Sequence, residues 1–444
     1  VSRDASFDPA LHHSRRQRIL DVLGDGLLLL PTAVETVRNG DVSHDYRPGS
    51  DFHFLTGFPE PEALLLASRT GKAEHHSVLF VRARDRDREI WDGRRHGVAG
   101  ARRRFGVDQA FEIGELWQRL PEFLTSHRRV FHRLGVDPVF DRRLFDVFGA
   151  QARRDRRRSP PAHPVLEDPL PAIAAARLVK DTVEIASLRA AAEVTVTGHR
   201  EAMRAARAGM HEFEVQAVLE AEFRRRGSPR NGYPSIVASG ANACVLHYHD
   251  NDRRMRAGDL LLIDAGAEMH GSTADVTRTF PVSGRFTEAQ AAVYRIVLRA
   301  QLAGIAACRI GAGWDAAHRA CVRSLTRGLV ELRVLRGDVG RLVRADSFKP
   351  WYMHGTSHWL GRDVHDVGAY QHESGVAKRL RAGMVLTVEP GLYFARNDRR
   401  VPSELRGIGI RIEDDVLIGR GRPQVLTAAA PKTLAEVEAA CADD

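Results

Sequence analysis

Two short apolar runs bounded by helix breakers stand out early in the chain, Gly26-Leu-Leu-Leu-Leu-Pro31 and Ser77-Val-Leu-Phe-Val81. Runs of that length have the form of buried strands. Arg-rich helical segments alternate with them, which predicts an α/β N-terminal domain. Between residues 150 and 171 the composition turns Arg-rich, then passes through Ser-Pro-Pro-Ala-His-Pro to Glu-Asp-Pro-Leu-Pro. Proline at that density disfavours helix interiors and central strands. The stretch is therefore expected to be an extended linker, ending one domain of residues 1–171 and opening a second of residues 172–444.

Helical patterning resumes at Asp181-Thr-Val-Glu184, where a capping residue and an acidic first turn precede a stripe of Ile185, Leu188, Ala192, Val194 and Val196. A second helix is expected over about 211–226, between Gly209 and the breaker Gly227-Ser-Pro. Leu260-Leu-Leu-Ile-Asp264 reads as a strand. A two-strand ribbon turning near His270-Gly271 would bring Asp264 close to Asp275, whereas a helix would spread them along its axis.

Composition is that of an ordinary globular protein with heavy Arg use. The net charge of +9 raises the question of a nucleic-acid partner. The arginines fall mostly in short clusters, such as Arg102 to Arg104 and Arg153 to Arg158, with no nucleic-acid-binding signature beside them. They read as solvated faces, as do the His12-His13 and His75-His76 pairs. Cys244, Cys308, Cys321 and Cys441 lack paired or metal-type spacing and are expected to be reduced thiols. No apolar run is long enough to span a bilayer and no secretory signal pattern is visible, so a cytoplasmic protein without membrane partners is expected.

The chemistry lies in the second half, in the order Asp264, Asp275, His358, Glu389, Glu413. Each alone has an ordinary explanation; Glu413-Asp414-Asp415, for example, could be a solvated acidic run. Four carboxylates drawn together repel one another and need compensating charge, which two divalent cations supply. Oxygen ligands with one imidazole and no thiolate form a hard set suited to Mn²⁺ or a similar ion, with Co²⁺, Fe²⁺ and Zn²⁺ as alternatives. Two such ions, roughly 3.5–4 Å apart, can hold a bridging water, lower its pKa and present it as hydroxide to a peptide carbonyl. His247, His354 and His365 are candidates for contact with substrate, since imidazole can donate or accept and imidazolium can stabilise an oxyanion. His211-Glu212 begins like a zinc-protease helix, but Val215 occupies the position of the second histidine, which removes that reading.

These motifs, together with Ser50-Asp-Phe-His-Phe-Leu-Thr-Gly-Phe-Pro-Glu-Pro-Glu-Ala63, Ile90-Trp-Asp-Gly-Arg-Arg95 and Leu246-His-Tyr248, resemble the pita-bread metallopeptidases, and within them the aminopeptidase P family. The resemblance spans nearly the whole chain. It implies an α+β pita-bread catalytic domain behind the α/β domain, two Mn²⁺ ions, and cleavage of the Xaa-Pro bond at the N-terminus of peptides. Asp264 would bind one ion and His358 the other, with Asp275, Glu389 and Glu413 completing or bridging the pair. Glu389 would also handle the proton of the attacking water, and Tyr393 and Arg411 match substrate-side positions. A homodimer or homotetramer, with the N-terminal domain limiting access, is implied as well. The competing readings are a prolidase confined to Xaa-Pro dipeptides and a non-catalytic pita-bread peptide-binding module.

Overall fold

The computed structural model describes residues 8–71, 74–154 and 164–442. The chain divides into two compact units between Ala176 and Arg177.

The first unit is built on a six-stranded sheet in the order Gln109–Glu112, Glu74–Val81, Leu64–Thr70, Gly26–Pro31, Arg129–Phe131, Val165–Glu167. Its three central strands pair antiparallel and the outer ones join in parallel. The uninterrupted leucines 27–30 follow from burial on both faces. Leu28 and Leu30 enter one core with Phe52 and Phe58, while Leu27 and Leu29 enter another with Leu116 and Leu120. The expected α/β character is present.

Two expectations need correction in this unit. The stretch 150–171 is not one extended linker: the helix Pro138–Arg154 covers its start, Val165–Glu167 is the edge strand of the sheet, and another helix begins at Leu170. The strand is short and lies at an edge, where flanking prolines do little harm. The densest part, residues 155–163, lies outside the described residues. His12 is not a surface residue; it is buried, with Nδ1 3.0 Å from the carbonyl of Phe54.

In the second unit the helix Thr182–Ala205 opens with a reciprocal capping box between Asp181 and Glu184. The helix Glu212–Arg225 follows, also as the sequence predicts. Strand Leu260–Ala265 pairs antiparallel with Val276–Pro281, Asp264 lying opposite Thr277. The chain between them turns at His270 and Gly271, which both take positive φ. A second sheet pairs Val385–Val388 with Asp414–Leu417, and a two-stranded ribbon pairs Gly391–Tyr393 with Gly409–Arg411. The backbone N–H of Glu413 donates to Thr277 O at 3.1 Å, which ties the two groups of strands together. Helices Glu288–Ala307 and Ala316–Glu331 contribute Val297, Ala300, Leu325 and Leu329 to the main core. Among the described residues no helix is long and apolar enough to cross a membrane.

Candidate metal centre and active site

Strand ends supply the carboxylates. Asp264 is the penultimate residue of Leu260–Ala265, Asp275 immediately precedes Val276–Pro281, Glu389 follows Val385–Val388, and Glu413 precedes Asp414–Leu417. His358 comes from irregular chain, yet it is held like a strand residue. Its N–H donates to Thr387 Oγ1 at 3.1 Å, Thr387 N returns to its carbonyl at 3.1 Å, and Trp359 bridges to Leu386. The same segment accepts the N–H of Glu389 at Thr356 O, 2.9 Å away, so His358 and Glu389 are fixed relative to each other.

All five side chains line one cleft of about 400 Å³, together with His247, His354, His365 and Arg411. Tyr393 is the exception among the sequence candidates. It is buried and is reached through other side chains: its hydroxyl lies 2.8 Å from His354 Nε2 and 3.2 Å from Arg411 Nη1. His358 Nε2 is 3.2 Å from Asp275 Oδ2 and 3.6 Å from Glu389 Oε1. One ligand atom from each of Asp275, His358 and Glu413 lies within 4.8 Å of the others, a spacing that a single cation could span. Arg411 Nη2 reaches Asp264 Oδ2 at 2.6 Å.

The electrostatics describe a cluster short of positive charge. Burial pushes the Asp275 carboxyl up, and repulsion from Asp264 adds to it against the pull of His358. Burial, then Asp275 and Glu389, raise Glu413 well above the carboxylate range. Glu389 is raised to about 7, chiefly by burial. Burial opposes charge on His358, but the hydrogen bond to Asp275 and the charges of Asp275 and Glu389 outweigh it and lift the imidazole to about 9. Buried carboxylates and an imidazole that hold protons this tightly form a donor set that fits divalent cations, which would replace those protons. His354 behaves oppositely: burial and the charge of Arg411 lower it to about 4, so its ring is neutral.

Several residues of the site escape sequence reading. Tyr233 bridges two of the carboxylates, its hydroxyl lying 2.7 Å from Asp264 Oδ1 and 2.5 Å from Asp275 Oδ1. Thr277 Oγ1 donates to Glu413 Oε2 at 2.6 Å. Its spacing two residues beyond Asp275 on a strand is the signal that could have found it. The acidic run 413–415 is not solvated at all, since its three residues are at most 2% exposed. Asp415 accepts the backbone N–H of Asp275 at 3.2 Å, and Asp414 pairs with Arg278 at 2.7 Å. No motif marks Tyr233, in the loop Gly232-Tyr-Pro-Ser235.

Residues 186–420 match the model of metallopeptidase family M24. The chain belongs to that family. Residues 12–131 match the aminopeptidase P N-terminal domain. The Xaa-Pro aminopeptidase of Escherichia coli K12 is 42% identical over 96% of each chain. The aminopeptidase PepP of Pseudomonas aeruginosa superposes with a TM-score of 0.94 at 44% identity, covering 98% of both chains. The aminopeptidase P of E. coli with the inhibitor Pro-Leu gives a TM-score of 0.94 at 41% identity, again over 98% of each chain. The two-part architecture is therefore that of aminopeptidase P, with a pita-bread metallopeptidase domain carrying the carboxylate cluster.

Proposed function

We propose that this chain is an Xaa-Pro aminopeptidase that removes the N-terminal residue from peptides with proline second, using two divalent metal ions, Mn²⁺ by preference, held by Asp264, Asp275, His358, Glu389 and Glu413. The observation that carries this reading is the meeting of those five side chains in one histidine-rimmed cleft, on a chain related to Xaa-Pro aminopeptidases along nearly its whole length.

When bound, the ions supply a water of lowered pKa and polarise the scissile carbonyl. The remaining work falls to the chain's own groups. Glu389, which lines the cleft, would take the proton of the attacking water and pass it to the proline nitrogen, a basic leaving group once the tertiary amide is cleaved. His354, neutral and with Nε2 at the Tyr393 hydroxyl and Nδ1 at the Gly355 carbonyl, would meet the peptide by exchanging one of these bonds, without adding charge. His247 and His365 rim the cleft as further substrate contacts. Tyr233 and Arg411 orient Asp264.

Prolidase is the weaker reading. Pro-Leu, held by the E. coli relative, is what remains of Xaa-Pro-Leu after its first residue is removed, and it extends beyond proline as no prolidase substrate does. The non-catalytic module is weaker still, since it would have no need of the complete ligand set. The N-terminal domain, residues 1–171, is assigned to access and oligomer contacts because none of the five ligands lies in it, with residues 172–444 as the catalytic domain. A dimer or tetramer is expected by light scattering. The four free thiols support a cytoplasmic location.

The deciding experiment strips the protein with a chelator and assays an Xaa-Pro-Xaa tripeptide and an Xaa-Pro dipeptide before and after adding Mn²⁺. Mn²⁺-dependent release of the first residue from the tripeptide is expected. Cleavage of the dipeptide alone would make the chain a prolidase, and no cleavage of either would remove the enzymatic reading.

A further inference from the structure

One wall of the cleft is formed by residues between 233 and 249, among them Tyr233, Ile236, His247 and His249. The polar face of the helix Glu212–Arg225 holds this wall from behind. Glu212, Gln216 and Glu220 recur at four-residue intervals and so lie along one face. Glu220 Oε1 accepts from Ser235 Oγ at 2.8 Å, and Gln216 Oε1 accepts from Asn251 Nδ2 at 2.9 Å. Asn251, buried and at a φ of +49°, also accepts Val237 N at 2.9 Å and donates to Ser235 O at 2.9 Å.

Glu212 is the end of this ladder. It is fully buried, and its two oxygens collect four donors: Ser239 N at 2.6 Å and Asn242 Nδ2 at 3.3 Å on Oε1, Tyr248 OH at 2.8 Å and Arg253 N at 3.0 Å on Oε2. Every one of these donors belongs to the segment 239–253, which carries His247. A buried carboxylate is costly unless its lone pairs are filled, so Glu212 is stable in place only while that segment is closed over it. Between its anchors at Ala243, which packs with Ile236, Ala238 and Leu262, and at buried Asn251, the stretch around His247 is open, with Val245, His247, His249 and Asp250 all exposed. Within that stretch the Tyr248 ring lies against the Ile236, Ala238, Ala243 and Leu262 cluster and its hydroxyl is tied to Glu212, so this residue sets where the adjoining His247 ring stands.

We infer that Glu212, acting through Tyr248, is a positioning residue that fixes the His247 loop against the cleft. This rests on the proposed role of His247 in contacting substrate. Tyr248→Phe removes one hydroxyl and leaves the ring and three of the four donors. The test measures kcat/KM on an Xaa-Pro-Xaa tripeptide with Mn²⁺ for Tyr248→Phe, His247→Ala and the double variant, all well below their unfolding temperatures. Tyr248→Phe is expected to lower kcat/KM about tenfold in the parent enzyme. In the His247→Ala background its effect is expected to be under about twofold, since the residue through which it acts is gone. Glu212→Gln, which turns an amide N–H₂ toward donors, should show a larger loss with the same non-additivity. Equal losses in both backgrounds, or no loss in the parent, would overturn the inference while leaving His247 its role. Full activity of His247→Ala would remove that role and the inference with it.

Discussion

Arg411 Nη2 lies 2.6 Å from Asp264 Oδ2, while the same guanidinium donates through Nε to Thr277 Oγ1 at 3.0 Å and through Nη1 to Tyr393 OH at 3.2 Å. One buried cation thus orients Asp264 and joins Thr277, itself bonded to Glu413, to the Tyr393–His354 pair. A lysine ammonium cannot reproduce a planar fork serving three partners. Arg411→Lys is expected to fold but to lose about 10- to 100-fold in kcat/KM, the range typical of lost support for metal ligands. Metal content after gel filtration should fall as well. Activity within about twofold of the parent would show that the fork is dispensable.

Asp264→Ala and Glu389→Ala are expected to abolish hydrolysis while leaving the fold intact, because each removes a proposed metal ligand but no apolar core. Circular dichroism and metal analysis should accompany the assay. Near-parental turnover by either variant at full metal occupancy would contradict a five-ligand dinuclear site.

Much of the architecture was legible because local pattern and tertiary environment agree. The leucines 27–30 read as a buried strand and are one, covered on both faces, and Asp181 to Glu184 read as a helix start and form a capping box. The ribbon turning at His270-Gly271 brings Asp264 beside Asp275 as its spacing implied. Legibility failed where a residue's surroundings come from distant chain. Nothing local separates Asp414 from a solvated acid; its burial depends on Arg278 and Lys432, each supplied by another part of the fold. Tyr233 and His12 are hidden for the same reason, since their partners Asp264, Asp275 and Phe54 are remote in sequence. The edge strand Val165–Glu167 was lost among prolines, which forbid central strands but tolerate an edge.

Arg278 and Asp414 form a fully buried ion pair, both at 0% exposure, and Asp414 further accepts from Gln301 Nε2 at 2.7 Å and Lys432 Nζ at 2.6 Å. Arg278 Nη1 also donates to the carbonyl of Glu413 at 2.5 Å, so the pair supports the backbone of a proposed metal ligand. Removing Arg278 leaves Asp414 with Lys432 as its one cationic partner and strips donors from the carbonyls of Thr277, Glu413, Ala430 and Pro431, at a cost of about 3–5 kcal/mol. Arg278→Met is expected to destabilise by that amount in urea unfolding. Adding Asp414→Leu should recover part of the loss, and a double variant as unstable as the sum of the single ones would argue against coupling.

Protons and the proposed metal ions are expected to compete in this cleft. Glu389 is raised to about 7 and His358 to about 9, each above its ordinary value. The folded metal-free protein therefore holds these protons more tightly than the unfolded chain. The resulting stabilisation is complete below the ordinary carboxyl and imidazole values, and is lost as pH rises through about 7 for Glu389 and about 9 for His358. Divalent ions need the opposite state, an ionised carboxylate and a neutral imidazole, so their apparent affinity increases over the same window. The rise in unfolding temperature on adding a fixed concentration of Mn²⁺ to chelator-stripped protein should accordingly be larger at about pH 8 than at about pH 5.5. Calorimetric titration in buffers of different ionisation enthalpy should report protons released on Mn²⁺ binding near neutral pH. An equal or larger thermal shift at the acid end, or net proton uptake, would mean that Glu389 and His358 are not the groups the metal displaces protons from.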